Sequence, residues 1–192
     1  MVILPPGPFS VIAADPAWEY VTYSKKNQTR SAENHYKTMT LDEIKAFPVA
    51  SLAADNCVLL LWAINPMLPH ALDVMKEWGF KYATVGFTWA KLTPKSGSWA
   101  PKYHMGMGHW ARANSELCLL GTRGKPKRRS KGVRQLIVSP RRRHSEKPEE
   151  FYESVEKLLD GPYLDLFSRL DRPNWTAVGD EVGKLNLPDA AE

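Results

Sequence analysis

Seven short apolar runs, separated by stretches whose apolar residues recur at helical spacing, constrain this chain more than any other feature. They fall at 9–14, 57–63, 82–90, 116–122, 134–138, 163–168 and 176–178. Most are continuously apolar rather than alternating, as in strands covered on both faces, so they predict an α/β architecture with a buried, largely parallel sheet flanked by helices. A chain of 192 residues has the length of one domain, about 100–200 residues, and a single unit over 1–192 is expected.

Helix signals lie between the runs. Thr40-Leu41-Asp42-Glu43 is a capping-box pattern that opens a short helix to Phe47, ended by Pro48. Asn65-Pro66 predicts an N-cap followed by proline at the first helical position. Met67, Leu68, Ala71, Leu72, Met75 and Trp78 then repeat with helical period up to Gly79, which places the Met and Trp side chains in the core. A third helix starts near Pro148, with Glu149 and Glu150 favourably placed for its dipole, and runs to Leu159. Segments 19–36, 92–108 and 124–131 show neither pattern, and each follows a predicted strand. Ligands of open α/β sheets bind outside the carboxyl ends of the strands, so all three segments are expected to frame the functional site.

Other residues exclude whole classes of protein. Cys57 and Cys118 each sit inside an apolar run, as buried free thiols do, which predicts a reduced cytoplasmic protein without a cysteine metal site. His109 and His144 have no partner at metal-ligand spacing, so no zinc is expected, and no G-x-G-x-x-G marks a dinucleotide site. The opening MVILPPGPF lacks a basic lead-in and is broken by prolines, and no run approaches the ~20 apolar residues of a membrane span. The charge is uneven. Residues 121–147 carry 11 Lys or Arg and one acid, for a net of +10, whereas the remainder nets −5. Clusters such as Lys125-Pro-Lys-Arg-Arg-Ser-Lys131 and Arg141-Arg142-Arg143 gather phosphates by counterion release, which points to nucleic acid as the partner.

The first run ends at Asp15-Pro16-Ala17-Trp18. A residue before proline is held extended and the proline stiffens the turn, so a carboxylate and a backbone carbonyl are fixed side by side at a strand end. An exocyclic nucleobase amine is a poor nucleophile because its lone pair is delocalised into the ring. Two acceptors, the Asp15 carboxylate and the Pro16 carbonyl, can take its two N–H hydrogens and favour a pyramidal nitrogen whose lone pair meets an electrophilic methyl group. One such preorganised contact is worth about 2.7–4 kcal/mol in a transition state, and the Trp18 face could add about 1–3 kcal/mol by stacking on the base. This chemistry by itself does not separate adenine from cytosine or another amine.

Beyond this loop the chain resembles the MT-A70 family of adenine-N6 methyltransferases. Asp15-Pro16-Ala17-Trp18 matches the family's Asp-Pro-Pro-Trp signature, with Ala17 for the second proline. His35-Tyr36-Lys37-Thr38-Met39, the strand ending Leu61-Trp62, Gly108-His109-Trp110, Arg143-His144-Ser145-Glu146-Lys147-Pro148, Tyr163–Arg169 and Asn174-Trp175 with Gly179-Asp180-Glu181 follow in family order. The resemblance implies a Rossmann-like methyltransferase domain in permuted order, with the catalytic strand before the cofactor strand, and S-adenosyl-L-methionine as cofactor. Asp15, Pro16 and Trp18 would be catalytic. Lys147, Asp165, Phe167, Arg169, Asp180 and Glu181 would hold the cofactor. Tyr36, Trp62 and His109, with Arg141, Arg142 and Arg143, would face the substrate.

The upstream acid that contacts the cofactor adenine in larger members has no counterpart among the 14 residues before Asp15. The similarity to compact phage and bacterial members favours DNA as substrate. RNA adenine, or a catalytically silent nucleic-acid-binding subunit, are the alternatives. Without a separate target-recognition domain, specificity would rest on a short target or on a partner, either a second copy or another subunit.

Overall fold

The computed structural model describes residues 4–19, 38–94, 96, 100–106, 108, 110–142, 146–179 and 182. All seven predicted strands form, as β1 (Phe9–Ala14), β2 (Ala53–Ala63), β3 (Lys81–Leu92), β4 (Ser115–Arg123), β5 (Leu136–Pro140), β6 (Tyr163–Leu166) and β7 (Trp175–Val178). They make one sheet in the order β5-β3-β4-β2-β1-β6-β7. β1 pairs in parallel with β2 and β6, β6 with β7, and β3 with β5, whereas β4 runs antiparallel to both β2 and β3. Six strands therefore share one direction, and β4 alone opposes them.

Alternation along β1 sends Ile12 and Ala14 to one face and Val11 and Ala13 to the other. On the first face the sheet packs against helices α1 (Leu41–Ala46), α2 (Val49–Leu52) and α3 (Leu68–Glu77), and on the second against α4 (Glu149–Leu158). The capping box forms as expected. Thr40 N–H donates to Glu43 Oε2 at 2.8 Å, and Glu43 N–H donates back to Thr40 Oγ1 at 3.2 Å. Met75 and Trp78 are buried, and the Trp78 indole N–H donates to the Ile44 carbonyl, tying α3 to α1. The expected Asn65 N-cap does not form. Asn65–Met67 is a 3-10 turn and α3 begins at Leu68, with Pro69 in its first turn, where the missing N–H costs nothing. Among the described residues no helix is long and apolar enough to cross a membrane.

The direction of β4 corrects one expectation. The described residues of the segment after β3 do lie at the common carboxyl edge of the sheet, where Leu92 bridges Tyr103. The segment 124–131, which follows β4, lies at the opposite, amino edge, because β4 runs the other way. Its neighbours agree: Lys125 N–H donates to Asn56 Oδ1 near the start of β2, and Arg129 N–H donates to the Leu158 carbonyl, ahead of β6. Of the third segment, only Glu19 is among the described residues.

Candidate active site

Chain winding reverses between β1 and β6: from β1 the chain continues to β2 on one side, while β6 and β7 add on the other. Open α/β sheets bind ligands in the crevice above such a switch point. A cleft lies there, lined by Asp15, Lys147, Asp165, Phe167, Ser168 and Arg169 among others. Of the residues assigned to catalysis and to the cofactor, Asp15 from the end of β1, Lys147, and Asp165, Phe167 and Arg169 from β6 and the turn after it line this cleft.

The loop after β1 is braced from both sides. Asp15 N–H donates to the Leu166 carbonyl of β6, Met39 N–H donates to the Ala17 carbonyl, and Glu19 N–H donates to the Met39 carbonyl. The Pro16 carbonyl accepts the Trp18 N–H at 2.8 Å, which fixes its direction and leaves its second lone pair for another donor. Trp18 itself is only 6% exposed, and its indole N–H donates to the Trp62 carbonyl at 3.0 Å. In this arrangement Trp18 anchors the loop to the end of β2 rather than offering a free face for stacking. With Ala17 in place of the second proline, its carbonyl still accepts the Met39 N–H at 2.8 Å.

Asp15 keeps 28% of its side chain accessible and receives the Lys147 ammonium on Oδ2 at 2.6 Å, while Lys147 is 9% accessible. Lys147 also lies 3.4 Å from Glu116 of β4, which is ion-paired with Lys91 of β3. Four charges in alternating sign therefore run from β1 across the strand ends to β3. Burial raises the pKa of Asp15, with Lys147 opposing and Glu116 reinforcing the shift. Burial would raise Glu116 as well, but Lys147 and Lys91 together outweigh it and hold this carboxyl at about 2. Trp62, 3% exposed, lies beneath Lys147, whose ammonium sits 5.2 Å from the ring centroid, so this tryptophan supports the lysine instead of walling an open pocket.

On the β6 side, Asp165 is buried and its Oδ2 accepts from Tyr152 Oη at 3.0 Å and Ser168 Oγ at 2.9 Å. Desolvation dominates over these two donors and lifts its pKa to about 6. Tyr152, from α4, carries the Arg172 guanidinium 3.7 Å from its ring centroid, and Arg172 is paired with Glu149. Phe167 holds a left-handed backbone at φ 63° and packs on Phe47, with ring centroids 4.9 Å apart. Such a conformation is uncommon for an aromatic residue and clusters at functional sites. Gly179, past β7, closes tightly on this turn: a Cβ there would stand 2.2 Å from the Ser168 carbonyl oxygen.

Arg141 and Arg142 are exposed at the carboxyl end of β5. Arg142 reaches Glu146 at 3.5 Å, beside Lys147 in sequence. Tyr36, His109, Arg143, His144, Asp180 and Glu181 lie outside the described residues. Among the described residues, no group of three or more His, Cys, Asp or Glu could hold a metal ion. Glu116, Lys91, Tyr152, Ser168 and Arg172 were not among the residues singled out from sequence. A charged residue beginning or ending an apolar run, as in Trp89-Ala-Lys91 and Glu116-Leu-Cys118, is the signal that marks the first two.

The chain is similar to known methyltransferases. The type II methyltransferase M.MunI of Mycoplasma sp is 30% identical over 98% of this chain and 85% of its own length. An N(6)-adenosine-methyltransferase MT-A70-like protein of Drosophila melanogaster is 29% identical, and the catalytic subunit of the human N(6)-adenosine-methyltransferase 28% identical, each over 95% of this chain. The chain spans only 28% and 30% of those two longer proteins. The MT-A70 family model matches residues 9–181, from the first residue of β1 to beyond Gly179. With the acidic turn after β1 and the cleft between β1 and β6 inside that match, the chain belongs to the MT-A70 family.

Proposed function

We propose that this protein transfers a methyl group from S-adenosylmethionine to the N6 amine of adenine in DNA. The observation that carries the reading is the pair of acceptors at the end of β1, the Asp15 carboxylate and the Pro16 carbonyl, beside the cleft above β1 and β6. Adenine is favoured by the family and by relatives named as N(6)-adenosine-methyltransferases. DNA is favoured because the type II methyltransferase M.MunI is a relative aligned over 85% of its own length, whereas the N(6)-adenosine-methyltransferases are matched over less than a third of theirs.

The cleft suits the cofactor by its donor set. Asp165, Asp15 and Glu146 supply acids and Arg169 and Lys147 supply cations, matching a ligand that carries an ammonium, a carboxylate, a ribose diol and a sulfonium. When bound, the cofactor supplies an electrophilic methyl group. Arg169 and Asp165 then lie on the cofactor side, and Asp180 and Glu181 are proposed to close on it.

Asp15 and the Pro16 carbonyl accept the two amine hydrogens and orient the lone pair. As the new N–C bond forms, the nitrogen must shed one proton, and the Asp15 carboxylate is the acceptor in line to take it. The Lys147 ammonium opposes the burial that raises the Asp15 pKa and so favours its carboxylate form. Such a site acts on a flipped or unpaired base, since the amine of a stacked, paired adenine cannot reach it. Arg141 and Arg142, with Arg143, hold the backbone near the site.

The test is incubation of the purified protein with S-adenosylmethionine and single-stranded DNA, duplex DNA or RNA, read as N6-methyladenine by nucleoside mass spectrometry. Methylation of DNA is expected. Product in RNA alone would move the substrate to RNA, and binding without product in any polymer would make the chain a silent subunit.

A further inference from the structure

The basic run 123–134 contains seven Lys or Arg and no acid, yet it does not adjoin the cleft. Its backbone is pinned to the amino edge of the sheet. Gly124 turns there at φ 64°, so close that a Cβ would stand 2.1 Å from the Asp55 carbonyl oxygen. Lys125 N–H donates to Asn56 Oδ1 and Arg129 N–H to the Leu158 carbonyl, both at 2.7 Å. The tether at Asn56 lies six residues along β2 from Trp62, and at about 3.3 Å per residue this separates the run from the cleft by ~20 Å.

The anchored backbone presents Lys125, Lys127, Arg128, Arg129 and Lys131 outward, all exposed. Among the described residues, the one carboxylate within ion-pair distance of these five is Asp160, 3.5 Å from Arg129, with both side chains open to solvent (61% and 76%). Such an exposed pair is worth about 0–1 kcal/mol and leaves Arg129 nearly available. A solvated connection needs no such ties. Holding five like charges together on a rigid support, on a chain whose remainder is acidic, costs mutual repulsion that an anionic polymer would relieve.

We propose that this amino-edge surface is a second, sequence-independent contact for the nucleic-acid backbone, separate from the catalytic cleft and reached only by substrates long enough to pass around the sheet. The proposal rests on nucleic acid being the substrate, as argued above. At about 3.4 Å per base step, ~20 Å corresponds to roughly six steps. A hexanucleotide with a central adenine in the cleft extends at most three steps to either side, about 10 Å at this rise, and falls short of the run, whereas a duplex of about 30 base pairs reaches it.

The experiment compares wild-type protein with a variant carrying Lys125→Gln, Lys127→Gln, Arg128→Gln and Lys131→Gln together. Both are titrated with the hexanucleotide and the long duplex from low to moderate salt, by fluorescence anisotropy. The variant should bind the long duplex at least about tenfold more weakly, with a salt slope reduced by about two to four, and bind the hexanucleotide as the wild type does. Equal losses on both substrates would overturn the proposal, because the run would then act through the fold or the cleft. Unchanged binding of the long duplex would overturn it as well, and if the variant then lost binding to vesicles of anionic phospholipid, the surface would belong to a membrane contact. Failure of the methyltransferase reading shows differently, as absence of N6-methyladenine from wild-type reactions whatever the binding does.

Discussion

The two edges of the sheet use charge in opposite ways. At the carboxyl edge, Asp15, Lys147, Glu116 and Lys91 are partly or wholly buried, alternate in sign and hold one another in place, so each charge is defined by its neighbours. At the amino edge, the cations from Lys125 to Lys131 are exposed and of one sign, and the structure there is set by backbone ties. A closed, self-compensating set of charges can position a reacting atom, because moving any one member disturbs the rest. An open, uncompensated set cannot position anything finely, but it attracts a polyanion at long range. The difference teaches that charge density alone does not locate a catalytic centre: the most basic part of this chain lies ~20 Å from the cleft by strand length.

The contrast is sharpest at Asp15. Asp15→Ala should lower methyl transfer by at least about a hundredfold, as expected for loss of a preorganised contact to the reacting group, while calorimetry finds cofactor affinity within a few-fold of wild type. Loss of cofactor binding in a folded variant would merge the two sides of the cleft into one site. Next is Glu116→Gln, which leaves Lys91 and Lys147 without their shared carboxylate. Unfolding in urea should show a loss of about 2–4 kcal/mol. Glu116 is held at about 2 in the fold against 4.5 for the free carboxyl, so its contribution is complete above pH 4.5 and disappears as the pH falls towards 2. That acid-dependent loss should be smaller in the Gln variant.

Asp165 has the opposite sign. Its pKa of about 6, against 3.8 for the free carboxyl, means that the fold binds a proton more tightly than the unfolded chain between those values. Stability is therefore lost as the pH rises from 3.8 to 6, and above 6 a constant cost of up to about 3 kcal/mol remains. Asp165→Asn, whose carbonyl still accepts from Tyr152 and Ser168, should raise the thermal midpoint of the ligand-free protein at pH 7.5 and change it little at pH 4. The smallest effect is expected at the other edge. Asn56→Ala removes the acceptor of the Lys125 N–H and should cost about 1 kcal/mol without changing turnover on a short oligonucleotide. A large drop in that turnover would mean that the two edges are coupled through β2.

Much of this was legible in the chain. Each strand was announced by an apolar run, and the predicted limits differ from the observed ones by a few residues at most, because a strand buried on both faces must be apolar along its length. The capping box at Thr40 was legible because both partners lie within four residues. Asp15 and Asp165 stood out as carboxylates bounding or interrupting apolar runs. The tie between Lys147 and Asp15 was hidden, since 132 residues separate them, and so was the Glu116–Lys91 pair, formed across the β3–β4 ladder. The anchoring role of Trp18 was hidden for the same reason: its acceptor is a backbone carbonyl 44 residues away, which no side-chain pattern records.

What the sequence by itself determined is the set of elements and the acidic turn after β1, because apolar continuity, proline stiffness and helix caps act within a few residues. Only the tertiary structure decided where the charges went. An apolar run reads the same in either direction, so nothing in residues 115–123 states that this strand opposes its neighbours. That reversal carries the following basic run to the amino edge and brings Glu116, at the other end of the strand, beside Lys147.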